Sequence, residues 1–338
     1  MITWYAFESA DTLFFKGSTP MYAGLDHTAA SIFPPRASTI QGALRTLVLM
    51  QNKVNIDDYH NGRESVSGIR NAIGKAGEDA PFQVIGPVFM LKGRPVVPAP
   101  YTWYIEDIDD KDEAEHKDLQ IYRSCPIDEM ELGNIRIHTS VKDKQRWAFS
   151  KDTGLSPMRG CWISGDLIGS SLERPVKLYK KKEPSLPDEP FIIKDVNALY
   201  AGEPHTGIAL EQDVRTARKG HLYSFTHYRL QPGVRIIFGI DKPLPIEKTG
   251  VLQLGGEKRF GSYSQLDSLD MTEGASGLYM SLSPVEAGGD ATRDIVATGK
   301  AVYAGGWDMK RRFHKDMLGY YPAGSVFSSR IRPDFIQI

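Results

Sequence analysis

At 338 residues, with 41 % apolar and 25 % charged residues, the chain has the composition of an ordinary soluble globular protein and the length for two domains. Lys and Arg number 41 against 42 Asp and Glu, a net charge of −1, which excludes a broadly basic nucleic-acid binder. Two isolated cysteines, Cys125 and Cys161, exclude a disulfide scaffold and a cysteine-based metal site; with no signal-like or long apolar run, a cytoplasmic protein without a membrane role is expected.

Residues 4–7 and 13–15 flank a polar turn and read as strands, the second ending at Gly17. A loop containing His27 leads into FPPRASTIQGALRTLVLM, where Pro34 and Pro35 disfavour helix before Arg36. Ser38 suits an N-cap, Gln41 completes a capping box, and Ile40, Ala43, Leu44, Leu47 and Val48 recur at helical spacing, so a helix is predicted from about Thr39 to Met50. The free N–H groups of that helix start favour a phosphate, with Arg36, Ser38 and Thr39 converging on it, although a plain capped core helix fits the same residues. A weaker helix is expected over 61–77, and residues 82–97 read as a hairpin turning at Lys92-Gly93 and closed by Pro98-Ala99-Pro100.

Residues 104–120 (YIEDIDDKDEAEHKDLQ) are strongly acidic and read as a solvated insertion. Strands are expected at 134–140 and 146–150, a loop-rich stretch at 153–165, and a linker at 184–190, where three prolines interrupt any periodicity. The remainder is largely strand: 206–210, 221–230, 234–240, 277–282 and 294–304, with a short helix over 244–252. Residues 214–235 carry no acid but Arg215, Arg218, Lys219, Arg229 and Arg235, interleaved with Tyr223, Phe225 and Tyr228; a further basic run, 310–315, includes Lys310 and Arg311. Such stripes on a neutral protein suit RNA on one face, and equally suit solvated charged faces.

The stretch around which these elements are organised is 254–263, LGGEKRFGSY. Gly255, Gly256 and Gly261 let backbone amides approach a ligand, Lys258 and Arg259 add positive charge, and Phe260 and Tyr263 offer flat faces, a combination suited to a nucleic-acid backbone with unstacked bases. A glycine-rich surface loop is the plainer reading.

FPPRASTIQGALR, VIGPVFMLKGRPVVPAP, GIAL…ARKGHLYS, LGGEKRFG and AVYAGGWD…YYPAGSVF occur in that order, from about Leu13 to Phe327. The set resembles the RAMP proteins of type III CRISPR effector complexes, most of all the third subunit of the type III-B (Cmr) complex. The resemblance implies an α+β fold of two tandem ferredoxin-like (RRM-like) domains with inserted loops and hairpins, expected over 1–183, with the acidic insertion at about 104–120, and 191–338, with the glycine-rich loop. It implies a subunit without catalytic activity or cofactor that holds the 5′ handle of the CRISPR RNA (crRNA) and links the large palm-domain subunit to the neighbouring backbone RAMP subunit. Carried over by position, the RNA surface falls on Arg36, Ser38, Thr39, Gly255, Gly256, Lys258 and Arg259; from their residue types, Phe260 beside them and Arg215, Arg218, Lys219, Lys310 and Arg311 in the basic runs are candidate RNA contacts.

Enzyme signatures are few. There is no P-loop, no nucleophile elbow and no H-E-x-x-H; Gly288-Gly289-Asp290 lacks the second carboxylate that a palm metal site needs. The alternative function is a metal-independent CRISPR-repeat endoribonuclease, for which His27 is the candidate general base and His221 and His227 lie in the basic segment. Trp162, Tyr303 and Trp307 are candidates for stacking on bases, although such residues more often belong to the core.

Overall fold

The apolar spacing of the first predicted helix is realised in a computed structural model of the chain, which describes residues 2–17, 28–29, 31–63, 66–107, 118–126, 146–150, 154–181, 183, 185–211, 216–308 and 313–338. Helix α1 (Ala37–Gln51) buries Ile40, Leu44, Leu47, Val48 and Leu49. It starts two residues earlier than the capping-box expectation: the N-cap is Arg36, without a side-chain cap bond, and Gln41 donates to the Phe82 carbonyl at 2.8 Å. Packing thus overrides the local box, leaving Ser38 and Thr39 exposed in the first turn. The weaker helix resolves into two short ones, α2 (Ile56–Asn61), which Asn55 caps by accepting from the Asp57 amide, and α3 (Ser67–Ile73).

These helices belong to a unit formed by residues 1–91, 199–269 and 304–318. Its sheet contains β1 (Thr3–Ser9), β2 (Val84–Leu91), β5 (Val234–Ile240), β6 (Thr249–Gln253) and β7 (Phe260–Leu266), all antiparallel in the order β6-β7-β1-β5-β2. Between β2 and β5 the chain makes a long antiparallel hairpin of β3 (Tyr200–Leu210) and β4 (Ala217–Leu230). The helix expected over 244–252 is absent; residues 244–248 are an irregular connection and 249–252 belong to β6, whose pairing to β7 satisfies the backbone that a helix would have satisfied internally. α1 packs on β2 and β6, and Gln51 at its end donates to the Tyr263 hydroxyl at 3.0 Å.

The second unit comprises residues 92–198, 270–303 and 319–338. One of its sheets orders the strands Arg94–Pro98, Trp162–Ser164, Phe191–Ile193, Val176–Leu178 and Asp118–Leu119; another orders Ile295–Ala297, Val326–Phe327, Tyr279–Ser281 and Phe335–Gln337. A core of Val285, Ala291, Phe327 and Phe335 lies beside the second, and there Arg332 pairs with the buried Asp334 at 2.8 Å. The loop-rich stretch contains two short strands, Leu155–Pro157 and Trp162–Ser164, and Trp162 is a core residue. Gly288-Gly289-Asp290 opens a six-residue helix in which Asp290 pairs with Arg293 at 2.9 Å. The strand expected at 134–140 lies outside the described residues, as does the middle of the acidic insertion.

The chain is therefore α+β and sheet-rich. The two units interleave, a different partition from the sequential division at 184–190, because β1 takes its sheet neighbours β5 and β7 from the second half of the sequence. No helix among the described residues is long and apolar enough to cross a membrane.

Candidate nucleic-acid interface

The loop joining β6 to β7 is held from within. The Leu254 amide donates to the Arg259 carbonyl at 2.9 Å, and the Gly256 amide to the Phe14 carbonyl at 2.8 Å. Gly255 sits at φ +103, and a Cβ there would stand 2.7 Å from the Phe14 carbonyl oxygen. Its missing side chain is thus explained by close approach of the chain to itself, rather than by approach to a ligand. Glu257 and Lys258 both have φ 55, which is uncommon for non-glycine residues and calls for a surrounding structure that enforces it. The result is an outward turn: Lys258 is exposed and enters none of the ion pairs among the described residues, and Phe260, at the start of β7, is 54 % exposed.

Arg259 is engaged differently. Its guanidinium pairs with Asp11 at 2.9 Å and with Glu257 at 3.6 Å. Asp11 also pairs with Arg229 at 3.1 Å, and Arg229 with Glu203 at 2.7 Å. The Thr12 amide, followed by the Arg229 and Arg259 guanidiniums, holds the Asp11 carboxyl below the usual carboxylate range; bonds from Arg229 and then His205 do the same for Glu203. Arg259, one of the expected RNA cations, and Arg229 of the basic stripe are thereby paired with the chain's own acids, leaving Lys258 as the loop's available charge.

Beneath this network lies a ring stack. His227, with 0 % exposure, stacks on His205 at 4.1 Å between centroids and on Phe225 and Phe14 at 5.2 and 5.4 Å. Burial, aided by His205 and Arg259 and opposed by Glu257 and Glu203, pushes the His227 pKa down. The unfolded chain takes up this proton near pH 6.5, whereas the folded chain resists it to lower pH, so the unfolded state binds more protons and stability falls as pH drops below about 6.5. Thermal melts between pH 7.5 and 5.5 are expected to show this fall, with a shallower slope in His227→Gln; identical slopes would contradict it.

The helix start adjoins the same region. Gly255 borders Phe15, whose ring lies 5.9 Å from Phe33, three residues before Arg36. Arg36 donates to the carbonyl of Gly305, anchoring the base of the short hairpin Trp307–Asp308 and Phe313–His314. Arg36, Ser38, Thr39 and the 254–260 segment therefore belong to one unit. Arg218 and Lys219 lie on the backbone of β4, while Arg215, Lys310, Arg311 and His27 lie outside the described residues. Tyr223 and Phe225 share the His227 face of the hairpin, whereas Tyr228 packs on Phe33 at 4.8 Å. Tyr303 is exposed. Sequence reasoning passed over Asp11, Thr12, Phe14, His205 and Glu203; only the Asp11–Thr12 pair, a polar interruption before the LFF run, offered a local signal. No group of three or more His, Cys, Asp or Glu side chains suited to a metal ion occurs among the described residues.

The family model described as "CRISPR-associated protein (Cas_Cmr3)" matches residues 5–278. Among solved structures, the chain is similar to a chain of the type III-B Cmr-beta complex bound to cognate target RNA and AMPPnP, at 15 % identity and TM-score 0.50, covering 96 % of this chain and 85 % of that one. A chain of Cmr-beta bound to cognate target RNA shows 16 % identity and TM-score 0.49, with 96 % and 86 % covered. One of the Csm3-Csm4 subcomplex of the type III-A interference complex shows 13 % and 0.44, with 99 % and 94 % covered. At these identities the likeness concerns the fold. No curated protein matches the sequence. The family match runs from β1 through α1, the long hairpin and the glycine-rich loop to beyond β7, and on that ground the chain belongs to the Cas_Cmr3 family of CRISPR-associated proteins.

Proposed function

We propose that this chain is a non-catalytic, cytoplasmic RNA-binding subunit of a type III-B Cmr effector complex, which holds the 5′ handle of the crRNA and links the large palm-domain subunit to the neighbouring backbone RAMP subunit. The observation that carries the reading is the family match over residues 5–278, which includes both the α1 start and the 254–259 loop. The solved structure matched at TM-score 0.50 is itself a chain of a type III-B complex bound to cognate target RNA. Sheet order supports one ferredoxin-like unit, though one drawn from both halves of the sequence: β7-β1-β5-β2, with α1 between β1 and β2, is the order of a βαββαβ unit in which β6 stands in the chain where the second helix would be. Lys258, which enters none of the ion pairs among the described residues, and Phe260 supply an exposed cation and an exposed ring two residues apart, the combination that grips a phosphate and stacks on an unpaired base. Arg36, Ser38 and Thr39 at the start of α1, with Gly255 and Gly256 as the frame of the loop, complete the proposed surface; Arg259 acts as a brace within it.

Fluorescence anisotropy with the full-length chain tests this. Single-stranded RNA beginning with the 5′ segment of the cognate CRISPR repeat is expected to bind at least about tenfold more tightly than a scrambled RNA of the same length, with affinity falling steeply with salt. Equal binding of the two would remove the handle assignment. The RNA is expected to be recovered intact; cleavage in the presence of a metal chelator would overturn the non-catalytic reading.

A further inference from the structure

His227 is a fully buried imidazole to which RNA contact assigns no task. Its Nδ1 lies 2.8 Å from the Thr12 hydroxyl, and its Nε2 lies 3.3 Å from Oε2 of Glu257 without the alignment of a hydrogen bond. A carboxylate beside Nε2 favours the tautomer that carries its proton there, leaving Nδ1 to accept from Thr12. The ring is fixed in position by His205 on one side and by Phe225 and Phe14 around it. Phe14 in turn accepts the Gly256 amide, so the same buried stack meets the glycine-rich loop twice, through a backbone bond at Gly256 and through the carboxylate of Glu257.

Glu257 is the first of the two residues held at left-handed φ, and Lys258 is the second. A left-handed backbone in two successive non-glycine residues is strained and persists only where neighbours enforce it. The loop's own bonds, Leu254 to Arg259 and Arg259 to Gly256, close its two ends but do not touch the side chain of Glu257. That side chain lies 3.3 Å from His227 and 3.6 Å from Arg259. The charged and titratable groups around His227 are His205 and Glu203 from β3, Arg229 from β4, Asp11 from the turn after β1, and Glu257 and Arg259 from the loop.

We propose that His227 is a positioning residue for the glycine-rich loop: from the hairpin strand β4 it holds Glu257, and Glu257 fixes the left-handed turn that carries Lys258 outward. The consequence for RNA rests on the reading of this loop as an RNA contact; the positioning itself does not. A hairpin histidine thereby couples the long β3–β4 hairpin to the presentation of the loop's free cation, so that displacement of the hairpin loosens the loop.

Limited trypsin digestion of the full chain reads the loop without any RNA, because Lys258-Arg259 is itself a cleavage site. His227→Phe keeps a ring in the stack but removes Nε2 and Nδ1; Glu257→Ala changes an exposed residue and leaves the stack untouched, which keeps the test valid if the buried variant folds poorly. Both are expected to speed cleavage at Lys258-Arg259 about fivefold or more, with other sites unchanged. His227→Gln, whose amide N–H reaches toward Glu257, is expected to stay near the wild-type rate. Unchanged cleavage in both variants, or acceleration at every site alike, overturns the positioning role. Each variant is also expected to weaken binding of the repeat-derived 5′ RNA about fivefold, no further once Lys258→Glu is present. Faster cleavage with unchanged RNA affinity leaves the positioning intact and overturns the RNA role of the loop.

Discussion

Replacing Lys258 by Glu and Phe260 by Ala in the same chain is expected to lower affinity for handle RNA about a hundredfold. Base–aromatic stacking is worth about 1–3 kcal/mol by alanine substitution, and a cation at a phosphate adds a salt-dependent term that charge reversal turns into repulsion. Together these reach about 2.7 kcal/mol, the equivalent of a hundredfold. Both side chains are exposed, so the fold should tolerate the change: Phe260 contributes its carbonyl to the Ala10 amide, a bond the substitution leaves in place. Arg259 is unsuitable for this test because it braces Asp11 and Glu257, and its loss would mix stability with binding. Anisotropy titrations at two salt concentrations should show the salt dependence of the variant reduced, with a log–log slope smaller by about 1. A loss below about threefold would take the loop off the RNA surface.

Gly261→Val is expected to destabilise the chain by about 3 kcal/mol or more, the largest effect on folding that the structure points to. Gly261 is paired in register with Ser9 of β1 and Leu252 of β6, and a Cβ built on it would lie 2.1 Å from the Glu8 carbonyl oxygen and 2.7 Å from the ring of the fully buried Phe7. Neither neighbour is free to move: one is strand backbone, the other a core side chain, so relief requires separating β7 from β1. Overpacking in a well-packed core costs about 1–3 kcal/mol when side chains can shift, and more when backbone must. Gly42→Ala in α1, where nothing lies within 4 Å, is the matched control and should gain about 0.5–1 kcal/mol from reduced backbone freedom. Urea unfolding measures both; a wild-type midpoint for Gly261→Val would refute the argument. The third glycine of the loop motif thus serves the sheet, and the sheet in turn holds the loop.

The local pattern by itself determined the elements whose signals are short-range. The run Ile40, Ala43, Leu44, Leu47 and Val48 specified α1, and strand-like stretches between turn residues specified β2, β5 and most of the long hairpin. The Lys92-Gly93 turn is realised with both residues at positive φ. The ordered motifs also pointed to the family; of the stretch 254–263, however, only 255–259 form a loop, whereas Phe260–Tyr263 open β7 and Tyr263, expected to offer a flat face to a base, is buried against α1.

What the tertiary structure decided depends on residues distant in sequence. Ser38 lost the N-cap to Arg36, which is tied to Gly305, and Gln41 went to Phe82 instead of the capping box. Residues 249–252 became part of β6 because β7 offered a pairing edge that helical propensity cannot anticipate. Arg259 became a brace rather than a free cation because Asp11 arrives from the other end of the chain, and His227 was buried because Thr12, Phe14 and His205 close around it. The interleaving of the two units has the same origin: hydrophobic periodicity records which face of a strand is buried, whereas the identity of its neighbours is set by pairing across the sheet, where β1 joins partners from the far half of the sequence.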